Sequence, residues 1–314
     1  MDMDQDYVIK KRSKRKLIFY ITLVLLIGFA VLIGVIFSDT TQSFSLPREK
    51  VAVIYVQGPM VTDNIPDGLG YASSEQICKE LREAEKDPFV KAIVLRINSP
   101  GGTPAAAQEI VSQIKRTREK VPVVVSMGEL AASGAYYISA PTDRIVANPD
   151  TMTGSIGVVW VFENKEGYFQ EEGLNYTIIK SGEFKDMGAP WRNLTEEEKE
   201  YSQEVVMDSY ERFIVEIAEG RNISITDVKK LADGRIYLGE NAKELGLVDD
   251  IGNLYDAIDI AAKMGGISGT PEIDYRNQAP DLLGMLFGGN IMYENYEPSY
   301  QKNNYYGRVM WIHF

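Results

Sequence analysis

A serine among small neighbours, a few lysines and two glycine-bearing turns are the residues of this chain that could carry chemistry. Ser133 lies in Ser126-Met-Gly-Glu-Leu-Ala-Ala-Ser-Gly-Ala-Tyr-Tyr137. Ala131, Ala132 and Gly134 leave its hydroxyl uncrowded, so an electrophilic carbonyl could approach it. Serine at a helix start is also an ordinary N-cap, but a cap does not explain why its neighbours are all so small. To act as a nucleophile the hydroxyl needs a base. The single histidine, His313, is second from the C-terminus, which makes a Ser-His-Asp arrangement improbable. Lysine can replace it when neutral. That requires its pKa to fall from about 10.4 to 7 or 8, roughly 3–4 kcal/mol, through burial without a carboxylate partner. Lys185, in Lys180-Ser-Gly-Glu-Phe-Lys-Asp-Met-Gly188, has Phe184 beside it. Asp186 works against it, because an ion pair would hold the proton.

The segment Ile97-Asn98-Ser99-Pro100-Gly101-Gly102 is built for close backbone approach. Pro100 restricts one dihedral and the glycines open conformations closed to other residues. Such a strand–glycine–helix junction can aim N–H groups at a developing oxyanion, although a simple turn has the same composition. Other serine–lysine spacings exist. Ser112-Gln-Ile-Lys115 fits S-x-x-K and Lys180-Ser181-Gly182 resembles K-T-G, but no S-D-N element lies between them, and Ser112 falls mid-way along an amphipathic helix.

The elements that must position these groups alternate. Strands are expected at 51–56, 90–97, 121–127, 144–147 and 174–180. Helices are expected at 74–86, 104–120, 133–140, from Thr195 to about 220, near 226–232 and 241–245, and at 254–264. Thr195 and Glu198 have the spacing of a capping box. Near-continuous apolar runs such as 90–97 suit strands covered on both faces. Strands alternating with helices predict an α/β fold with a mostly parallel sheet.

The net charge of −12 and a pI near 4.8 argue against nucleic acid as a partner. One cysteine, Cys78, excludes an internal disulfide and a thiolate-rich metal site, and in an apolar helical setting it reads as a buried structural thiol. Residues 17–37 are apolar and uncharged, and as a helix would span about 31 Å, enough to cross the hydrocarbon core. Six Lys or Arg in residues 10–16 precede them, which predicts a cytoplasmic N-terminus and an extracytoplasmic remainder. No small-x-small site ends the run, so an uncleaved anchor is expected rather than a signal peptide. The expected organisation is a basic tail (1–16), a transmembrane anchor (17–37), a linker (38–48), a catalytic domain (49–265) and an aromatic-rich tail (266–314).

The segments L-R-I-N-S-P-G-G (95–102), S-M-G-E-L-A-A-S-G-A-Y-Y (126–137), T-G-S-I-G-V (153–158), K-S-G-E-F-K-D (180–186) and A-D-G-R-I-Y-L-G-E-N-A-K-E-L-G-L-V-D (232–249) occur in an order and spacing that resemble the signal peptide peptidase A family. The resemblance runs from about residue 50 to 265 and includes the N-terminal anchor. It implies a Clp-protease/crotonase-like fold of repeated ββα units and a membrane-bound serine endopeptidase acting on remnant signal peptides at the extracytoplasmic face. It further implies Ser133 as nucleophile, Lys185 as general base in preference to Lys180 and Lys115, and Gly102 as an oxyanion donor. Gly101 and Gly134 would lend support, and Ser155 would hold the lysine amine. No metal or cofactor enters this scheme. Short members of the family look like ring homo-oligomers in which the lysine can reach a neighbour's serine. The competing readings are a crotonase-like acyl-CoA enzyme, a related protease of stomatin-like membrane proteins, and an inactive membrane scaffold.

Overall fold

The structure is a computed structural model describing residues 22–29, 48–65 and 70–277. The chain divides into two compact units, Met1–Arg48 and Glu49–Phe314. Of the first, residues 22–29 form a helix (α1) with exposed apolar side chains from Leu23 to Phe29. Among the described residues no helix is long and apolar enough to cross a membrane. Most of the expected anchor at 17–37, and residues 278–314 of the aromatic-rich tail with His313, lie outside the described residues.

The second unit is built on a sheet in the order β10-β1-β4-β5-β6-β9. Its central strands are β1 (Lys50–Gln57), β4 (Val90–Ser99) and β5 (Val123–Ala132), flanked by β6 (Arg144–Ala147), β9 (Asp250–Ile251) and β10 (Glu272–Arg276). All these pairs are parallel. β7 (Met152–Gly154) pairs parallel with the end of β5 and antiparallel with β8 (Ile236–Leu238), so the sheet is mixed. A small parallel pair, β2 (Met60–Val61) and β3 (Ala72–Ser73), stands apart. β10 carries the sheet beyond residue 265. Residues 272–276, which the expected organisation assigns to the tail, pair parallel with β1.

Alternation along the buried strands separates two apolar layers. Ala52, Ile54, Ile93, Leu95, Val123 and Val125 face one layer, which receives Ile77 and Leu81 of α2 (Ser74–Lys86) and Ile110 and Ile114 of α3 (Pro104–Arg118). Val51, Val53, Ala92, Val94 and Val124 face the other, closed by Ala257, Ile258 and Ala261 of α9 (Leu254–Met264). A strand with apolar residues at both parities must be covered on both sides, and that requirement sets the helical layers. Cys78 is buried on α2, and burial pushes its thiol up to about 11.

Residues 157–197 depart from this layered pattern: none of them is buried. They hold a short helix α5 (Glu166–Glu171) and a 3-10 turn Glu183–Asp186. Aromatic contacts knit the arm together, with Phe169 on Tyr176 at 5.1 Å and Tyr176 stacked on Trp191 at 5.2 Å. The strand expected at 174–180 does not form. Its residues join no sheet, and Ile179 is 96% exposed. β propensity alone cannot make a strand without a partner edge. After the arm come α6 (Glu196–Arg221), α7 (Ile225–Leu231) and α8 (Gly239–Glu244).

Candidate active site

Ser133 follows the last residue of β5 and precedes α4 (Gly134–Ser139). Its backbone has φ 54° and ψ −124°, a conformation uncommon for a non-glycine residue. Its side chain makes no capping hydrogen bond, so the simple N-cap explanation fails. Strained backbone at a hydroxyl that caps nothing is a pattern that clusters at functional sites. The turn is held from below, where the Ser133 amide donates to the Gly154 carbonyl at 2.8 Å. From above it is held by Tyr136, fully buried and donating to the Leu247 carbonyl at 2.9 Å.

The two glycines of Pro100-Gly101-Gly102 pack directly on this turn. Met60 donates its amide to the Gly101 carbonyl at 2.7 Å and accepts from the Thr103 amide at 2.9 Å. These bonds flank Gly102, so its own N–H points away from Met60. A side chain on Gly102 would collide with the Met60 backbone. Gly101 has φ 110°, and a Cβ there would stand 2.7 Å from the Gly134 nitrogen and 2.9 Å from Ser133 Cβ. The space above Gly134 is narrow but less so, with a Cβ there lying 3.0 Å from Met60 Cε and 3.2 Å from the Gly102 nitrogen. Among the described residues neither the Gly102 nor the Gly134 amide donates to a protein acceptor. Two free N–H groups beside one hydroxyl suit a developing oxyanion. The Gly101 amide differs, donating to Ser99 Oγ at 3.2 Å; Gly101 provides close approach rather than a donor.

Ser133 opens onto a small cleft lined by Gly102, Pro104, Ala107, Gly134, Tyr137 and Phe213 among others. Tyr137 and Phe213 meet edge-to-face at 5.0 Å and form an apolar wall. Burial pushes the Tyr137 hydroxyl up to about 12, which keeps this wall uncharged. Phe213 comes from α6, eighty residues after the serine, and nothing in the sequence marks it as a pocket residue.

Ser155 adjoins the same turn. It continues β7 one residue beyond the Ala132–Gly154 pair, has φ 48° and donates its amide to the Arg235 carbonyl at 2.8 Å. Ser133 and Ser155 are thus two strained serines at the ends of neighbouring paired strands.

Lys185 is not brought to this cleft within one chain. It sits in the exposed 3-10 turn and lines a separate hollow with Thr177, Ile178, Ile179, Met187 and Trp191. Of the three lysines considered, only Lys185 lacks an ion pair among the described residues. Lys115 is held by Glu216 at 2.8 Å and Glu219 at 3.6 Å. Lys180 donates to Asp186 Oδ1 and to the Glu183 carbonyl, both at 2.7 Å. The Asp186 carboxylate, expected to compete for Lys185, is instead occupied by Lys180 and Arg192.

Peptidase family S49 matches residues 115–268, and the Clp protease family matches residues 64–153. A relative from Methanocaldococcus jannaschii, provisionally named a protease, is 37% identical over 276 residues, 86% of this chain and 88% of its own. The chain belongs to peptidase family S49. A relative of this S49 protease from Enterococcus faecium, provisionally named signal peptide peptidase SppA, is 39% identical over 213 residues, 68% of this chain and 62% of that protein. Protease 4 of Haemophilus influenzae is 36% identical over 228 residues, 72% of this chain but only 36% of that longer protein. The α/β fold with its mixed sheet agrees with a Clp-protease-like domain, and the protein is a serine protease of the S49 family.

Proposed function

We propose that this S49 protease is a membrane-anchored endopeptidase with a Ser133–Lys185 dyad that degrades remnant signal peptides and similar apolar segments at the extracytoplasmic face. The observation carrying this reading is Ser133 itself, strained, uncapped and flanked by the unbonded Gly102 and Gly134 amides. Neutral Lys185 takes the Ser133 proton as Oγ attacks the peptide carbonyl, and the oxyanion rests against the Gly102 and Gly134 amides. The lysine then gives the proton to the leaving amine as the C–N bond breaks. Water attacks the acyl-enzyme, again losing its proton to the lysine, and regenerates the free serine. Ser155 holds the amine in line. The wall of Tyr137, Phe213 and Ala107 favours an apolar side chain in the cleft beside the serine.

The serine cleft and the lysine hollow share no lining residue. This supports a dyad completed between neighbouring chains of a ring-shaped homo-oligomer. The exposed apolar residues of the 157–197 arm, Val159, Tyr168, Tyr176 and Ile179 among them, supply the surface for that contact. The apolar run at 17–37 behind a basic cluster supports the anchor and its orientation.

The test is cleavage of an apolar peptide by the full-length protein in detergent, beside Ser133→Ala and Lys185→Ala. Each substitution is expected to lower kcat by about 10⁴- to 10⁶-fold. Parent-like cleavage by both variants would sink the dyad. The parent's kcat/KM should rise with pH as the base loses its proton, and Lys185→Ala should abolish that rise.

A further inference from the structure

A base that must be neutral stands next to a carboxylate, and the surrounding ionic cluster resolves the conflict. Asp186 Oδ1 accepts from Lys180 Nζ and Arg192 Nη2, each at 2.7 Å, while Oδ2 accepts from Arg192 Nε at 3.1 Å. The opposite edge of the same guanidinium grips Glu198, with Nη1 to Oε2 at 2.8 Å and Nη2 to Oε1 at 2.6 Å. Glu198 is 2% exposed and also accepts from the Thr195 amide at 2.9 Å, as the capping-box residue of α6. One planar fork thus ties the turn that carries Lys185 to the first turn of a 26-residue helix. The cluster is neutral, two carboxylates against Lys180 and Arg192, and Lys185 stands outside it.

Resting on the dyad reading, we propose that Arg192 is a positioning residue for Lys185, sequestering the Asp186 carboxylate and fixing the lysine-bearing turn to α6. Without Arg192, Oδ2 of Asp186 is free, and two carboxylates face one cation. Both changes favour protonated Lys185. The charged groups around the turn are Lys180, Glu183, Asp186, Arg192 and Glu198, and Tyr201 of α6 reaches it through Phe184 at 5.5 Å. Of these, Arg192 alone contacts both Asp186 and Glu198. A lysine at 192 would keep the charge but lose the two-sided fork.

The experiment measures kcat/KM against pH for full-length protein cleaving an apolar fluorogenic peptide. Arg192→Gln is expected to raise the apparent pKa by about one unit or more and to cut activity at pH 7 by about tenfold or more. Adding Asp186→Asn restores charge balance and should return the pKa to the parent's value, a rescue that general loosening of the fold would not give. Arg192→Lys should leave the pKa near the parent's while lowering kcat, and it decides the matter if Arg192→Gln does not fold. An unmoved pH profile in Arg192→Gln, no rescue by Asp186→Asn, or a parent-like kcat in Arg192→Lys overturns the proposal. Lys185→Ala is run alongside: if it cleaves like the parent, the base assignment itself is wrong, whereas an inactive Lys185→Ala with an unmoved Arg192→Gln profile removes only the role of Arg192.

Discussion

At Ser133 the chain adopts a backbone conformation that costs free energy and that the surrounding packing sustains, and at Gly101 one that only glycine takes without strain. Gly101 tests that statement directly, because its φ of 110° and the 2.9 Å approach to Ser133 Cβ leave no place for a side chain. Gly101→Ala should destabilise the protein by about 1–3 kcal/mol through strain and displace the serine turn. The expected result is a lower thermal midpoint together with slower labelling of Ser133 by a serine-directed fluorophosphonate. A lower midpoint with unchanged labelling would separate the glycine from the site. Lys185 shows the limit of residue-scale reading. Its neighbour in sequence, Asp186, looked like its natural partner, yet Arg192 and Lys180 take that carboxylate. Adjacency in sequence does not decide where two side chains point.

Among the elements, the start of α6 links the helix cap to the ionic cluster. The hydrogen bond from Arg192 holds the Glu198 carboxyl at about 2, below its ordinary 4.5, despite the opposing effect of burial. A depressed carboxyl pKa means that the folded state binds the proton less readily than the unfolded chain. The stabilisation is therefore complete above about pH 4.5 and is lost as pH falls toward about 2. Glu198→Gln should flatten the acid limb of stability in a urea titration followed between those values; an unchanged pH slope would show that the pair contributes nothing. The capping box was legible from Thr195 and Glu198 alone, because its spacing is local. β5 was legible only in part. Its apolar run suggests an end at Met127, but the strand continues to Ala132 because β7 pairs with residues 130–132. The absent strand at 174–180 is the converse case, β-prone residues left without an edge.

For the whole molecule, the separation of Ser133 from Lys185 within one chain is the feature with the largest consequence. If neighbouring chains complete each site, co-assembling equal amounts of Ser133→Ala and Lys185→Ala protein should restore activity to about a quarter of the sites by random mixing. Mixtures as inactive as either variant alone, in particles of the parent's size, would place the dyad within one chain. The arm at 157–197 is where this assembly should fail first. Ile179→Asp places a charge on its most exposed apolar residue, and the expected outcome is smaller particles by light scattering with a parallel loss of cleavage. Unchanged particle size would exclude that part of the arm from the contact.

The sequence alone determined the α/β class, the parallel core strands, most helix positions and the serine with its glycine neighbours, because periodicity, caps and turn chemistry act over a few residues. The tertiary structure decided which groups share a space. It brought Gly101, Gly102 and Ser155 to the Ser133 turn, supplied Phe213 from α6 as the pocket wall, carried the sheet to residue 276 and left Lys185 on an uncovered arm. These outcomes depend on contacts between residues tens of positions apart, and their geometry comes from the packing of the sheet and helices rather than from local preference.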